Sequence, residues 1–90
     1  MSKKESEYAR ILDALKHAKD PKERVVSYET QVPFQIEMNG VKICKYIADF
    51  KVLYKDGHTE IVDVKGFKTD VYRLKKKLVE AQYGIIVKEI

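Results

Sequence analysis

Residues 46–66 read YIADFKVLYKDGHTEIVDVKG, and the way this stretch folds back on itself decides the architecture. Two runs rich in Val, Ile, Phe and Tyr flank Lys55-Asp56-Gly57-His58, which predicts two long strands, Val41–Tyr54 and Thr59–Lys65, joined by a tight turn. Charges interrupt both runs: Asp49 sits in Tyr46-Ile47-Ala48-Asp49-Phe50, and Asp63 with Lys65 sits in Ile61-Val62-Asp63-Val64-Lys65-Gly66. A carboxylate set among such neighbours loses hydration and needs another charged group or a cation to neutralise it. Because strand side chains alternate, Asp63 and Lys65 share one face and Val64 takes the other. The turn decides where Asp49 goes. A two-residue Asp56-Gly57 turn sets it opposite Val64, on the wrong face. A three-residue Lys55-Asp56-Gly57 turn, with Gly57 left-handed and a bulge beside it, sets it opposite Asp63. The second is expected, since only that register gathers the three polar groups.

Upstream, Val32, Phe34, Ile36 and Met38 alternate with polar residues, and Asn39-Gly40 is a hairpin signal, so a further antiparallel strand precedes the other two. Pro33 assigns that strand to an edge. Ser2 and Glu5 have capping-box spacing, and Tyr8, Ile11, Leu12, Leu15 and Ala18 recur at helical intervals, predicting a first helix over 3–18 that Asp20-Pro21 terminates. Glu7, one turn before Ile11 and two before Leu15, falls at the margin of that apolar stripe. Downstream, Thr69 or Asp70 caps a second helix whose Val71, Leu74, Leu78 and Val79 share a face, with Lys75, Lys76 and Lys77 on its flanks. Gly84 ends this helix, and Ile85-Ile86-Val87 is a short apolar last strand. The expected fold is α/β, in the order helix-strand-strand-strand-helix-strand, with a mixed central sheet flanked by helices.

Ninety residues with 44% hydrophobic and 36% charged content suit a single domain spanning 1–90 and exclude a disordered or fibrous chain. Such a chain builds only a modest core, which favours a second subunit or a bound ion. No apolar run approaches the roughly 20 residues of a membrane span. The polar Met1–Arg10 stretch carries no export signal, so a cytoplasmic setting is expected. Cys44 has no second cysteine to pair with, and neither His17 nor His58 has metal-ligand spacing. The net charge is +4, with cations concentrated between Lys42 and Lys77 among a few acids. Cations that neutralise phosphates, Lys68, Arg73, Lys75 and Lys76 among them, together with carboxylates that hold a metal, are the equipment of a nucleic-acid enzyme.

Two acids and a lysine on one sheet face, joined by a helix glutamate, compose a phosphodiesterase site for a divalent metal. Hard cations such as Mg²⁺ or Mn²⁺ take oxygen ligands, which assigns Asp49 and Asp63 as direct ligands, the Val64 carbonyl as a third, and Glu7 to a second ion or a water. Lys65 would position or activate the attacking water and offset phosphate charge.

The pattern Asp49, thirteen residues, then Asp63-Val64-Lys65 resembles the PD-(D/E)XK signature of the restriction-endonuclease-like nucleases, with Ala48-Asp49 where that superfamily often has Pro-Asp. Gln31-Val32-Pro33-Phe34, Tyr46–Phe50, Asp63–Gly66, Thr69 and Tyr72-Arg73-Leu74-Lys75 together look like small phage-encoded members related to Holliday junction resolvases. The resemblance runs from about Glu5 to the C-terminus. It implies Mg²⁺- or Mn²⁺-dependent cleavage of DNA in a bacterial cell, carried by Asp49, Asp63 and Lys65, with branched DNA as substrate and a two-fold homodimer as the form that makes paired cuts. The helix acid of that pattern corresponds to Glu7, with Glu5 the alternative; Gln31 corresponds to a residue at the edge of the site and Lys75 to a phosphate contact. Two other readings fit the same residues: a non-catalytic nucleic-acid-binding module that keeps the nuclease fold, and a nuclease subunit active only with partner proteins.

Overall fold

The computed structural model describes residues 2–64 and 68–90. Its elements run α1 (Lys3–Leu15), β1 (Val25–Met38), β2 (Val41–Tyr54), β3 (Thr59–Asp63), α2 (Asp70–Tyr83) and β4 (Val87–Glu89). The strands form one sheet in the order β1-β2-β3-β4. The first three are antiparallel; β4 runs parallel to β3 because α2 carries the chain back along the sheet before β4 begins. The α/β fold and its element order are those expected from the sequence, and Pro33 lies on the edge strand.

Both turns set the register through residues that tolerate positive φ. Asn39 and Gly40, at φ 51° and 78°, close the β1–β2 hairpin with two residues. The β2–β3 turn has three: the Tyr54 amide donates to the His58 carbonyl at 3.0 Å, the Gly57 amide donates to the Tyr54 carbonyl at 3.0 Å, and Gly57 sits at φ 96°. Phe50 is thereby set opposite Val62, and one step further along Asp49 stands opposite Asp63. The strand β1 starts at Val25, well before the alternating segment at Val32, because β2 offers partners all the way to Tyr54. Two strands of fourteen residues account for the 44 Å long axis of the molecule.

Ser2 caps α1, its hydroxyl accepting from the Glu5 amide at 3.2 Å, and Thr69 caps α2 in the same way with the Tyr72 amide at 3.1 Å. Gly84 ends α2 in the left-handed conformation, φ 65°. The helix α1 stops three residues short of Ala18, its final turn tightened by i→i−3 bonds from the His17 and Ala18 amides.

The core divides in two. Tyr8 and Leu12 of α1 pack on Val25, Phe50, Val52, Tyr54, Val62 and Val64. Val79 of α2 packs with Ile36, Tyr46, Ala48, Ile61 and Val87. Alternate residues of β2 thus pass from one cluster, Tyr46 and Ala48, to the other, Phe50 to Tyr54, and the exchange falls at Asp49. Opposite Asp49 on β1 lies Gln31, between the pairs Thr30–Phe50 and Val32–Ala48, with a left-handed φ of 52° that bends the strand at the same level.

Each helix is also turned about its axis relative to its most apolar stripe. Ile11 of α1 is 54% exposed, and Val71 and Leu74 of α2 are 63% and 60% exposed, contrary to the expected inner faces. The inward positions are Glu5, Tyr8, Leu12 and Leu15 on α1, and Tyr72, Lys75, Lys76, Leu78 and Val79 on α2, the last two as expected. Aromatic rings with a polar tip and lysine stems with a charged head cover apolar surface as well as leucine does, while their heads reach partners leucine lacks. The last strand is likewise displaced, with Ile86 outside it and 86% exposed.

Candidate functional site

At the level of Asp49 and Asp63 the β2–β3 ladder gives way to side-chain bonds. The Asp49 amide donates to Asp63 Oδ1 at 3.1 Å, and the Val64 amide donates to Asp49 Oδ2 at 2.8 Å. Each carboxylate caps backbone beyond the last ladder pair, which locks both rotamers where the strands part. The two side chains are 3% and 0% exposed. Paired negative charge this deeply buried is costly unless polar or cationic groups compensate it, and backbone N–H donors give part of that compensation. The donor set is all oxygen and anionic, which suits a hard divalent cation. Among the described residues no three His, Cys, Asp or Glu side chains cluster for metal binding. The expected register of Asp49 and Asp63 is the one observed. Lys65 lies outside the described residues.

The row of polar residues runs across the sheet: Gln31, Asp49, Asp63, then Glu89, which pairs with Asp63 in the parallel β3–β4 register. Glu89 is a site residue that reading the sequence missed, since nothing local to Val87-Lys88-Glu89 announces which β3 residue it will face. It gathers three partners from α2 and the segment before it: the Tyr72 hydroxyl donates to Oε2 at 2.8 Å, and Lys76 and Lys68 reach Oε1 at 3.2 and 3.6 Å. The Tyr72 hydrogen bond, seconded by Lys76 and Lys68, holds the Glu89 carboxyl below the ordinary glutamate value. Tyr72 is pushed the other way, foremost by burial, then by its bond to Glu89 and by the charges of Asp63 and Asp49. Its hydroxyl therefore stays protonated, a fixed donor within the field of three carboxylates.

Rotation of α1 separates its two glutamates. Glu7 is exposed, whereas Glu5 lies on the same helical face as Tyr8 and Leu12. The Gln31 amide nitrogen donates to Glu5 Oε2 at 3.2 Å, linking Glu5 to the strand position beside Asp49. The Ile11 exposure explains the difference: once the buried stripe centres on Tyr8 and Leu12, its margin passes through Glu5.

The expected phosphate contacts fall on two sides of Tyr72. Lys68, Arg73, Lys76 and Lys77, with Glu80 and Glu89, line a cleft of about 440 Å³. Arg73 also approaches the exposed Asp70, one helical turn back, at 3.9 Å, and Glu80 is occupied by the Val87 amide at 2.8 Å. Lys75 lines a second cleft of about 400 Å³ with Lys45, Tyr46 and Tyr72. Away from this region, His58 stacks on Tyr54 and pairs with Asp56, and Cys44 is a free, half-buried thiol packed against the α2 cluster. No helix among the described residues is long and apolar enough to cross a membrane.

The chain belongs to the DUF1064 family, described as a protein of unknown function, whose model matches residues 1–89. No curated protein and no solved structure matches it.

Proposed function

We propose that this DUF1064 chain is a metal-dependent endodeoxyribonuclease that hydrolyses phosphodiester bonds in branched DNA as a homodimer. The observation that carries the reading is the pair of buried aspartates held side by side by reciprocal backbone bonds at the point where β2 and β3 part. Asp49 and Asp63 would hold Mg²⁺ or Mn²⁺, with the Val64 carbonyl beside them and Glu5, in place of Glu7, at the margin. When bound, the ion supplies Lewis-acid stabilisation of the phosphate and a more acidic attacking water. Lys65 would orient that water and offset charge on the phosphate. Tyr72, kept neutral by burial and by the surrounding carboxylates, would keep its proton directed at Glu89 and so hold that carboxylate in place beside Asp63. The Lys68–Arg73–Lys76 cleft would hold flanking phosphates and align the scissile bond.

Purified protein with Mg²⁺ is expected to cut four-way junctions in preference to duplex or single-stranded DNA, and to do so with paired, symmetric incisions. Absence of cleavage of all three substrates across metal concentrations would end the reading. Asp63→Asn, which keeps an acceptor for the Asp49 amide, should lose cutting by at least about 100-fold while retaining DNA binding.

A second reading draws on the same bonds. Because the aspartates already cap the ends of the β2–β3 ladder, they have a structural task that needs no chemistry, which suits a binding module or a subunit that acts only with partner proteins. Asp63→Asn with unchanged behaviour in every DNA assay would favour it.

A further inference from the structure

We propose that the cleft between β2 and the start of α2 receives one nucleotide of the DNA strand being cut, swung out of the stack where the branch interrupts the duplex, so that the substrate must be able to release a base there. This rests on the nuclease reading and specifies its substrate. The cleft, about 400 Å³, lies within the range of sites that enclose small organic ligands. Its walls divide by chemistry. Ile47 and Val71, 49% and 63% exposed, supply apolar sides, and the Tyr72 ring has the Tyr46 ring 6.3 Å behind it. Lys45 and Lys75 supply cations, and none of the described residues lining the cleft is acidic. An aromatic and apolar surface with lysines beside it fits a planar base whose sugar carries phosphate; a base stacked in duplex has no face to offer it.

Its position fits the same strand. The Tyr72 ring lines the cleft while its hydroxyl meets Glu89, the partner of Asp63 across the β3–β4 ladder. A base in the cleft would therefore rest on the Tyr72 ring, whose hydroxyl end meets the residue paired with Asp63. Lys75 and Lys76, adjacent in sequence, line different clefts on either side of this contact, so the backbone has cations both before and beyond the carboxylates.

The test compares duplex DNA bearing one unpaired adenine with the same duplex bearing an abasic spacer there, by fluorescence anisotropy in EDTA. Wild type is expected to bind the adenine form about tenfold more tightly, the usual scale of one base–aromatic contact. Tyr72→Leu should abolish the preference. So should Val71→Glu, an exposed change in the first turn of a helix, where a carboxylate is favoured and folding is preserved. Equal wild-type affinity for the two forms, no binding of either, or a preference retained in Val71→Glu overturns the proposal. Cleavage of the same DNA in Mg²⁺ is scored separately: a protein that cuts but ignores the spacer loses this cleft, and one that discriminates without cutting keeps the cleft and loses the nuclease reading.

Discussion

Glu89 meets the Tyr72 hydroxyl and the Lys68 and Lys76 ammonium groups, and its protonation should be visible in stability. Its carboxyl is held below the ordinary value of 4.5 by the Tyr72 hydroxyl and two lysines. A depressed acid contributes stability above its unfolded value and loses it as the pH falls through the lower folded value. Wild type is thus expected to melt above Glu89→Gln at pH 7, with the gap closing as the pH is lowered past 4.5. Thermal melts from pH 7 to 3 check this; a gap independent of pH would mean that the Gln simply packs badly. Asp49 and Asp63 were legible as residues from their placement among Val, Ile and Phe. Glu89 was not, because its partner lies 26 positions away across a parallel pairing that no local pattern encodes.

Among the elements, the β2–β3 turn has the greatest leverage on the site, since one residue more or less would move Asp49 to the opposite face. Gly57 holds φ 96°, and nothing lies within 4 Å of where a Cβ would stand. The cost of Gly57→Ala is then purely backbone strain, about 1–2 kcal/mol, measurable as a lower urea midpoint with an unchanged slope. A collapse in the slope would indicate that the register itself had slipped. Helix existence and caps were readable from Ser2, Thr69 and Gly84. Helix rotation was not: periodicity counts apolar residues, but α1 docks through the Tyr8 ring and Leu12, and α2 partly through what Tyr72 and Lys76 reach on Glu89.

For the whole molecule, two small clusters share one twisted sheet, and neither is large. Leu12, fully buried, should cost about 3 kcal/mol when truncated to Ala, lowering the melting temperature by roughly 10–20 °C in a domain of this size. Leu74→Gln, at a position the sequence pattern assigns to the interior, should change stability by no more than about 0.5 kcal/mol because that side chain is exposed. Calorimetry on the two variants separates them; a large loss from Leu74→Gln would signal that a partner or second subunit covers it.

What the sequence determined alone was whatever depends on neighbours along the chain: strand alternation, left-handed glycines, caps, and the insertion of Asp49 and Asp63 into apolar runs. These are short-range matters of sterics and hydration; they left a two-residue and a three-residue turn both open, and only the need to gather the charged groups chose the register that sets the two aspartates opposite each other. Tertiary structure decided which helix face turns inward, that Glu5 rather than Glu7 approaches Gln31, and that Glu89 completes the polar row. Those outcomes depend on energies of contact between segments far apart in the chain, where a tyrosine hydroxyl or a lysine head finds its partner only after the sheet has closed.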